Sequence, residues 1–151
     1  MRFCSLGSGS EGNATIVEAG RGTTARRVLI DAGFSMRELE ARLARAGLQA
    51  GDLHAVFVTH EHGDHIGCAT AFAQRHGLPL WMSRGTWRAI GAPELPDHLH
   101  WARDGQRIDL GEMVLEPFTV AHDAAEPLQL RCSDGAHALA VVTDVGSPTP
   151  H

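Results

Sequence analysis

The chain has 151 residues, 43% hydrophobic and 21% charged, with a formal net charge of −5. These values fit one globular core and argue against a disordered chain, and the acidic balance by itself does not suggest a broad cationic face for nucleic acid, although a net count hides local charge. Every basic residue is Arg, so Schiff-base and P-loop lysine chemistry are excluded as well.

Arg2 to Leu6 reads as a strand, followed by a Gly/Ser turn over Gly7 to Gly12. Ala14 to Glu18 and Arg27 to Ile30 read as two more strands, joined by a hairpin over Gly20 to Thr24. The Gly/Ser stretch is not a P-loop, because no helix start follows it. It is read as a tight turn bordering the site. Ser35 to Ala46 has helical spacing of Met36, Leu39, Leu43 and Ala46, a Ser35/Glu38 capping box and a Gly47 stop. Its Arg run is read as a solvated face.

Ala55 to Val58 is a short, β-branched apolar run and reads as a buried strand. Directly after it stand His60, His62, Asp64 and His65, with Asp64 opening a helix that runs to His76. His60 and His62 are one residue apart, which puts both rings on one side of an extended segment. Polar groups at the end of a buried strand cost about 1–3 kcal/mol each when unpaired, and a divalent cation is a partner common to all four. Imidazole and carboxylate are ligand types that suit zinc and related ions. Glu61, inside the run, reads as a neighbour of the ligands or as exposed. Cys68 lies further into the helix and is not read as a ligand.

Leu80 to Met82 reads as a strand and Gly85 to Ile90 as a helix, giving an alternating α/β order. Pro93 and Pro96 mark a loop. His98 and His100, near Trp101, are read as surface or sheet residues, and His76 as a helix-end residue. Arg107 to Leu110 pairs with Met113 to Phe118, and Gln129 to Cys132 with Ala138 to Val142. His122 and Asp144 each follow an apolar strand, which is the position of the first cluster. Cys4, Cys68 and Cys132 form no C-x-x-C pair and read as reduced residues of a cytoplasmic protein. No signal peptide or membrane span is expected.

His60-x-His62-x-Asp64-His65 after Val56-Phe-Val-Thr resembles the metal motif of the metallo-β-lactamase-fold hydrolases. The opening Phe3 to Asn13, with Leu29-Ile-Asp-Ala-Gly33 and Val142-Thr-Asp-Val-Gly146, resembles the YycJ-like (WalJ-like) branch, whose members are regarded as DNA exonucleases. The resemblance implies an αββα sandwich of two similar halves, of which residues 1–151 supply the N-terminal half only. It implies two divalent metal ions, zinc with manganese or iron as alternatives. His60, His62 and His122 would hold one, Asp64 and His65 the other, with Asp144 shared. A hydroxide between them would be the nucleophile, and Asp64 would orient it and take its proton. The resemblance places a further second-site His in the second half, and His151 does not resemble it. Three readings follow: a phosphodiesterase acting on DNA as an exonuclease, a thioester, lactone or small-ester hydrolase, and a metal-binding fragment without turnover. An uncovered sheet face and self-association through it are also expected.

Overall fold

A computed structural model describes residues 1–95 and 97–146. Pro96 of the expected loop and His151 lie outside the described residues. Among the described residues, ten strands form two sheets: β1 (Arg2–Gly7), β2 (Ala14–Ala19), β3 (Arg26–Ile30), β4 (Ala55–Phe57), β5 (Leu80–Met82) and β6 (Leu99–Trp101) in the first, and β7 (Ile108–Asp109), β8 (Val114–Thr119), β9 (Leu128–Ser133) and β10 (Ala138–Val141) in the second. The first sheet keeps sequence order. It is antiparallel from β1 to β3 and parallel from β3 to β6. The second is an antiparallel meander.

The parallel strands need crossovers, and helices supply them. They are α1 (Met36–Arg45), the pair α2 (Gly63–Ile66) and α3 (Ala69–His76), and α4 (Arg84–Ala89). All pack on one face of the first sheet. Leu29, Val56, Leu80 and Met82 point to Leu39, Leu43, Phe72 and Ala73 in one core. Their strand neighbours Val28, Ile30, Ala55 and Phe57 point the other way, to Leu115, Leu128, Leu130 and Cys132 of the second sheet. The two-residue period of a strand thus builds both cores from β3 and β4, which is why these read as continuous apolar runs.

The expected single helix from Asp64 to His76 is two helices. Gly67 breaks it at φ 33°, in a conformation few other residues adopt. The break lets residues 31–33 dock: Cys68 N–H donates to the Ala32 carbonyl at 3.0 Å, and Ala32 N–H to the His65 carbonyl at 2.9 Å. Ser35 caps α1 by accepting from Glu38 N–H at 3.3 Å, but the Glu38 carboxylate turns to Arg42 and Arg45, so only half of the capping box forms. Arg42 is not purely solvated. Its guanidinium lies 4.1 Å from the Phe34 ring centre and donates to the Leu6 carbonyl. His98 and His100 lie where expected, with His100 stacked on Trp81 in the sheet. His76 closes α3 beside Glu40.

Among the described residues, no helix covers the outer face of the second sheet. Phe3, Val142 and Val145 are 71%, 49% and 43% exposed beside the edge strands β1 and β10.

Candidate metal centre

Strands β3 and β4 run parallel, so their C-terminal ends lie side by side. Asp31 follows β3, and Thr59 and His60 follow β4. All three are buried. Thr59 N–H donates to Asp31 Oδ1 at 2.8 Å, and the Thr59 hydroxyl lies 2.9 Å from Asp31 Oδ2. With that hydroxyl donating to the carboxylate, its lone pair accepts from His60 Nδ1 at 3.0 Å. His65 Nδ1 lies 2.8 Å from Asp31 Oδ2. In this pattern Nδ1 of each ring donates, to the Thr59 hydroxyl from His60 and to the Asp31 carboxylate from His65, and Nε2 of each ring faces the site.

The six sequence-derived candidates converge in two groups that share Asp144. His60, His62, His122 and Asp144 form one, and Asp64, His65 and Asp144 the other, with ligand atoms within 4.8 Å of one another in each. His60 Nε2 is 3.1 Å from His62 Nδ1, and His122 Nε2 is 3.2 Å from both. Asp144 Oδ2 is 3.5 Å from His60 Nε2 and 2.7 Å from His65 Nε2. Asp64 Oδ2 lies 3.5 Å from His65 Nε2. Cys68 belongs to neither group.

Electrostatics agree with a cation's place. Burial pushes the His60 pKa down to about 4, and the neighbouring His65, His122 and His62 rings push the same way against Asp144. The ring is therefore neutral and a competent ligand at neutral pH. Burial alone would lower His65, but the Asp31 hydrogen bond and charge, with Asp144 and Asp64, reverse this and raise it. Burial in turn raises Asp31, against the hydrogen bonds from His65 and Thr59 that lower it. Three imidazole lone pairs aimed at one point repel each other unless a cation or proton lies between them. The nitrogen-rich group fits zinc or a related borderline ion.

Asp31 and Asp144 share a backbone feature, left-handed φ angles of 60° and 50°. Asp tolerates this region better than most residues, and such strain concentrates at functional sites. The N-terminal loop also reaches the site. Asn13 N–H donates to the Asp64 carbonyl at 2.7 Å, and its side-chain amide lies 3.1 Å from both Asp64 Oδ2 and His65 Nε2. Gly33 must be glycine because a Cβ there would overlap the Asp64 carbonyl. Ser8, Gly9, Ser10, Asn13, Asp64 and Asp144 help line an open recess of about 320 Å³. The Gly/Ser turn thus borders the candidate site. Sequence reasoning did not assign Asp31, Thr59 or Asn13 a role. The signal was present, because Asp31 and Thr59 are polar residues at the ends of buried strands.

The fold and the strand-end His/Asp groups define a class. Residues 7–146 match the metallo-beta-lactamase superfamily, and the chain belongs to that superfamily. Among curated proteins it is 35% identical over 149 residues to "Exodeoxyribonuclease YycJ" of Bacillus anthracis, and 30% identical over 151 residues to "Exodeoxyribonuclease WalJ" of Streptococcus pneumoniae. Each match covers 97% of this chain and 55% of the relative, so the chain spans about half the length of the curated relatives it matches. Among solved structures, the Rm3 metallo-beta-lactamase superposes with TM-score 0.70 at 20% identity, over 91% of this chain and 56% of that one. YhfI from Bacillus subtilis, a metallo-beta-lactamase fold protein, gives TM-score 0.66 at 16% identity, over 85% and 53%. These two show the fold alone.

Proposed function

We propose that this chain carries the metal-binding portion of a divalent-metal hydrolase that cleaves phosphodiester bonds at DNA ends. The observation that carries the reading is the meeting of six ligand side chains from three distant segments in two groups sharing Asp144. The exodeoxyribonuclease names of the two relatives support DNA over a thioester or lactone.

His60, His62 and His122 would hold one cation, and Asp64 and His65 the other, with Asp144 between them. Zinc suits this donor set, with manganese or iron as alternatives. Bound there, the cations would supply water activated at neutral pH and neutralise charge on the phosphoryl oxygens. The chain's own residues do the rest. Asp31 and Thr59 orient His65 and His60. Asp64, half-buried at the recess and held by Asn13, would accept a proton there. The recess opens past Ser8 to Ser10, giving a substrate phosphate access to Asp64 and Asp144.

The compartment proposed is the cytoplasm, in keeping with three unpaired cysteines. Among the described residues no helix is long and apolar enough to cross a membrane. Self-association through the exposed apolar residues beside β1 and β10 is part of the same proposal.

The test is release of nucleotides from end-labelled DNA by this chain and by a version carrying a second α/β half. The extended version is expected to degrade DNA from its ends, to stop in chelator, and to lose turnover as Asp64→Asn while still folding. The 151-residue chain alone is expected to be feeble. Chelator-insensitive hydrolysis, or an extended version that turns over esters but not DNA, would contradict the reading.

A further inference from the structure

His62 follows Glu61 directly, and His122 comes from a loop far away in sequence. Among the described residues, the polar partner of His122 Nδ1 is the carboxylate of its exposed neighbour Asp123, at 3.1 Å, and Nε2 lies 3.2 Å from His60 Nε2 and His62 Nδ1. Something else must set where this ligand stands. The backbone before it is tied by Gly146 N–H, which donates to the Ala121 carbonyl at 2.7 Å. The backbone after it is tied by Glu61: Ala125 N–H donates to Glu61 Oε1 at 2.6 Å. The other Glu61 oxygen is buried and has no partner among the described residues. The carboxylate therefore makes one polar contact there, and that contact is to the His122 loop.

The loop is gripped from its far side as well. Gly85 N–H donates to Glu126 Oε2 at 2.7 Å, and the Ser83 hydroxyl donates to the Glu126 carbonyl at 2.8 Å. A Cβ on Gly85 would run into Glu126, so the loop and the start of α4 are in close contact. Leu128 N–H then donates to the Thr59 carbonyl at 2.9 Å. The loop is thus pinned to α4 on one side and to the His60–His62 segment on the other. Among the described residues, the Glu61 bond joins it directly to the residue between the two candidate ligands it must meet.

We propose that Glu61 is a positioning residue that sets His122 against His60 and His62 by holding the loop at Ala125. The proposal rests on the metal-site reading above for its consequence, but its geometry stands without a cation. A hydrogen bond from a backbone amide to a carboxylate is stronger than one to a neutral acceptor, which suits a hold on an exposed loop. A partner one step removed from the ligands usually changes metal affinity by about 10–100-fold when lost.

The experiment compares the wild-type chain, Glu61→Ala and Glu61→Gln. Zinc affinity is read by competition with a chromogenic chelator, and exchange of the Ala125 amide by NMR on metal-free protein. Glu61→Ala is expected to bind the first zinc about tenfold or more weakly and to lose Ala125 protection. Glu61→Gln keeps an acceptor oxygen and is expected to restore protection and most of the affinity. Wild-type affinity in Glu61→Ala overturns the proposal. So does a loss in Glu61→Gln as large as in Glu61→Ala, because charge rather than position would then be the cause. If Glu61→Ala does not fold, exchange in the other two proteins decides: an Ala125 amide exchanging at the free rate overturns the proposal. Absence of zinc binding by the wild-type chain would count against the metal-site reading instead, and the exchange data would still decide the hold on the loop.

Discussion

His122 Nε2 stands 3.2 Å from His60 Nε2, although 62 residues separate them and they follow strands of different sheets. The second sheet must therefore be seated on the first before the three imidazoles can meet. Packing of Phe57 and Ile30 against Leu128 and Leu130 does that seating. The candidate site is a product of the core between the sheets, and site and fold should respond together to changes there.

Asp31 holds His65 Nδ1 at 2.8 Å and accepts from Thr59 twice, so Asp31→Asn sets an amide donor among donors. Asn tolerates left-handed φ at least as well as Asp, so backbone strain is not the issue. The expected outcome is a loss of about 1–3 kcal/mol in stability by urea denaturation. Zinc held through His65 should weaken by roughly 10–100-fold in titration. Unaltered affinity would show that the carboxylate does not orient the ring.

Acid should act through His60. Its pKa is about 4 in the fold, lowered by burial first and by the neighbouring rings next. The unfolded ring has a pKa of about 6.5, so between these values the unfolded chain binds the extra proton. The stability linked to a neutral His60 is then fully present above about 6.5 and falls as pH drops toward about 4. His65, raised instead, acts in the opposite sense above about 6.5, so the two windows separate. Denaturation midpoints of the metal-free chain should fall across the acid window. His60→Gln should flatten that fall, and an equal slope in both proteins would contradict the assignment.

The exposed side chains Phe3, Val142 and Val145 should make the chain associate. Light scattering is expected to show concentration-dependent mass, reduced by Phe3→Ser. A dilution-stable monomer that binds no apolar dye would count against it.

Much of this could be read from the chain before its structure. The run from His60 to His65 declared itself because four candidate ligands crowd one strand end. His122 and Asp144 followed from the same placement and from family resemblance. The α1 helix was legible from its spacing and its Ser35 cap. Less local features were not. The break at Gly67 lets residues 31–33 dock there, through bonds from Ala32 to His65 and Cys68 that no periodicity in 64–76 reveals. Asp31 reads locally as a strand-end turn residue, and the fold shows it against His65 and Thr59, beneath two candidate ligands. Glu61 looks like an exposed neighbour of its motif until the loop at Ala125 is brought to it.

The most direct measurement is the metal content of the purified chain beside the His60→Ala/His62→Ala double variant, by elemental analysis after dialysis against dilute metal. Two adjoining groups allow roughly one to two equivalents of zinc, manganese or iron in the wild-type chain. The double variant removes two of the three imidazoles of the nitrogen-rich group and should lose most of that metal while keeping its secondary structure by circular dichroism. A folded double variant carrying as much metal as the wild type would contradict the account.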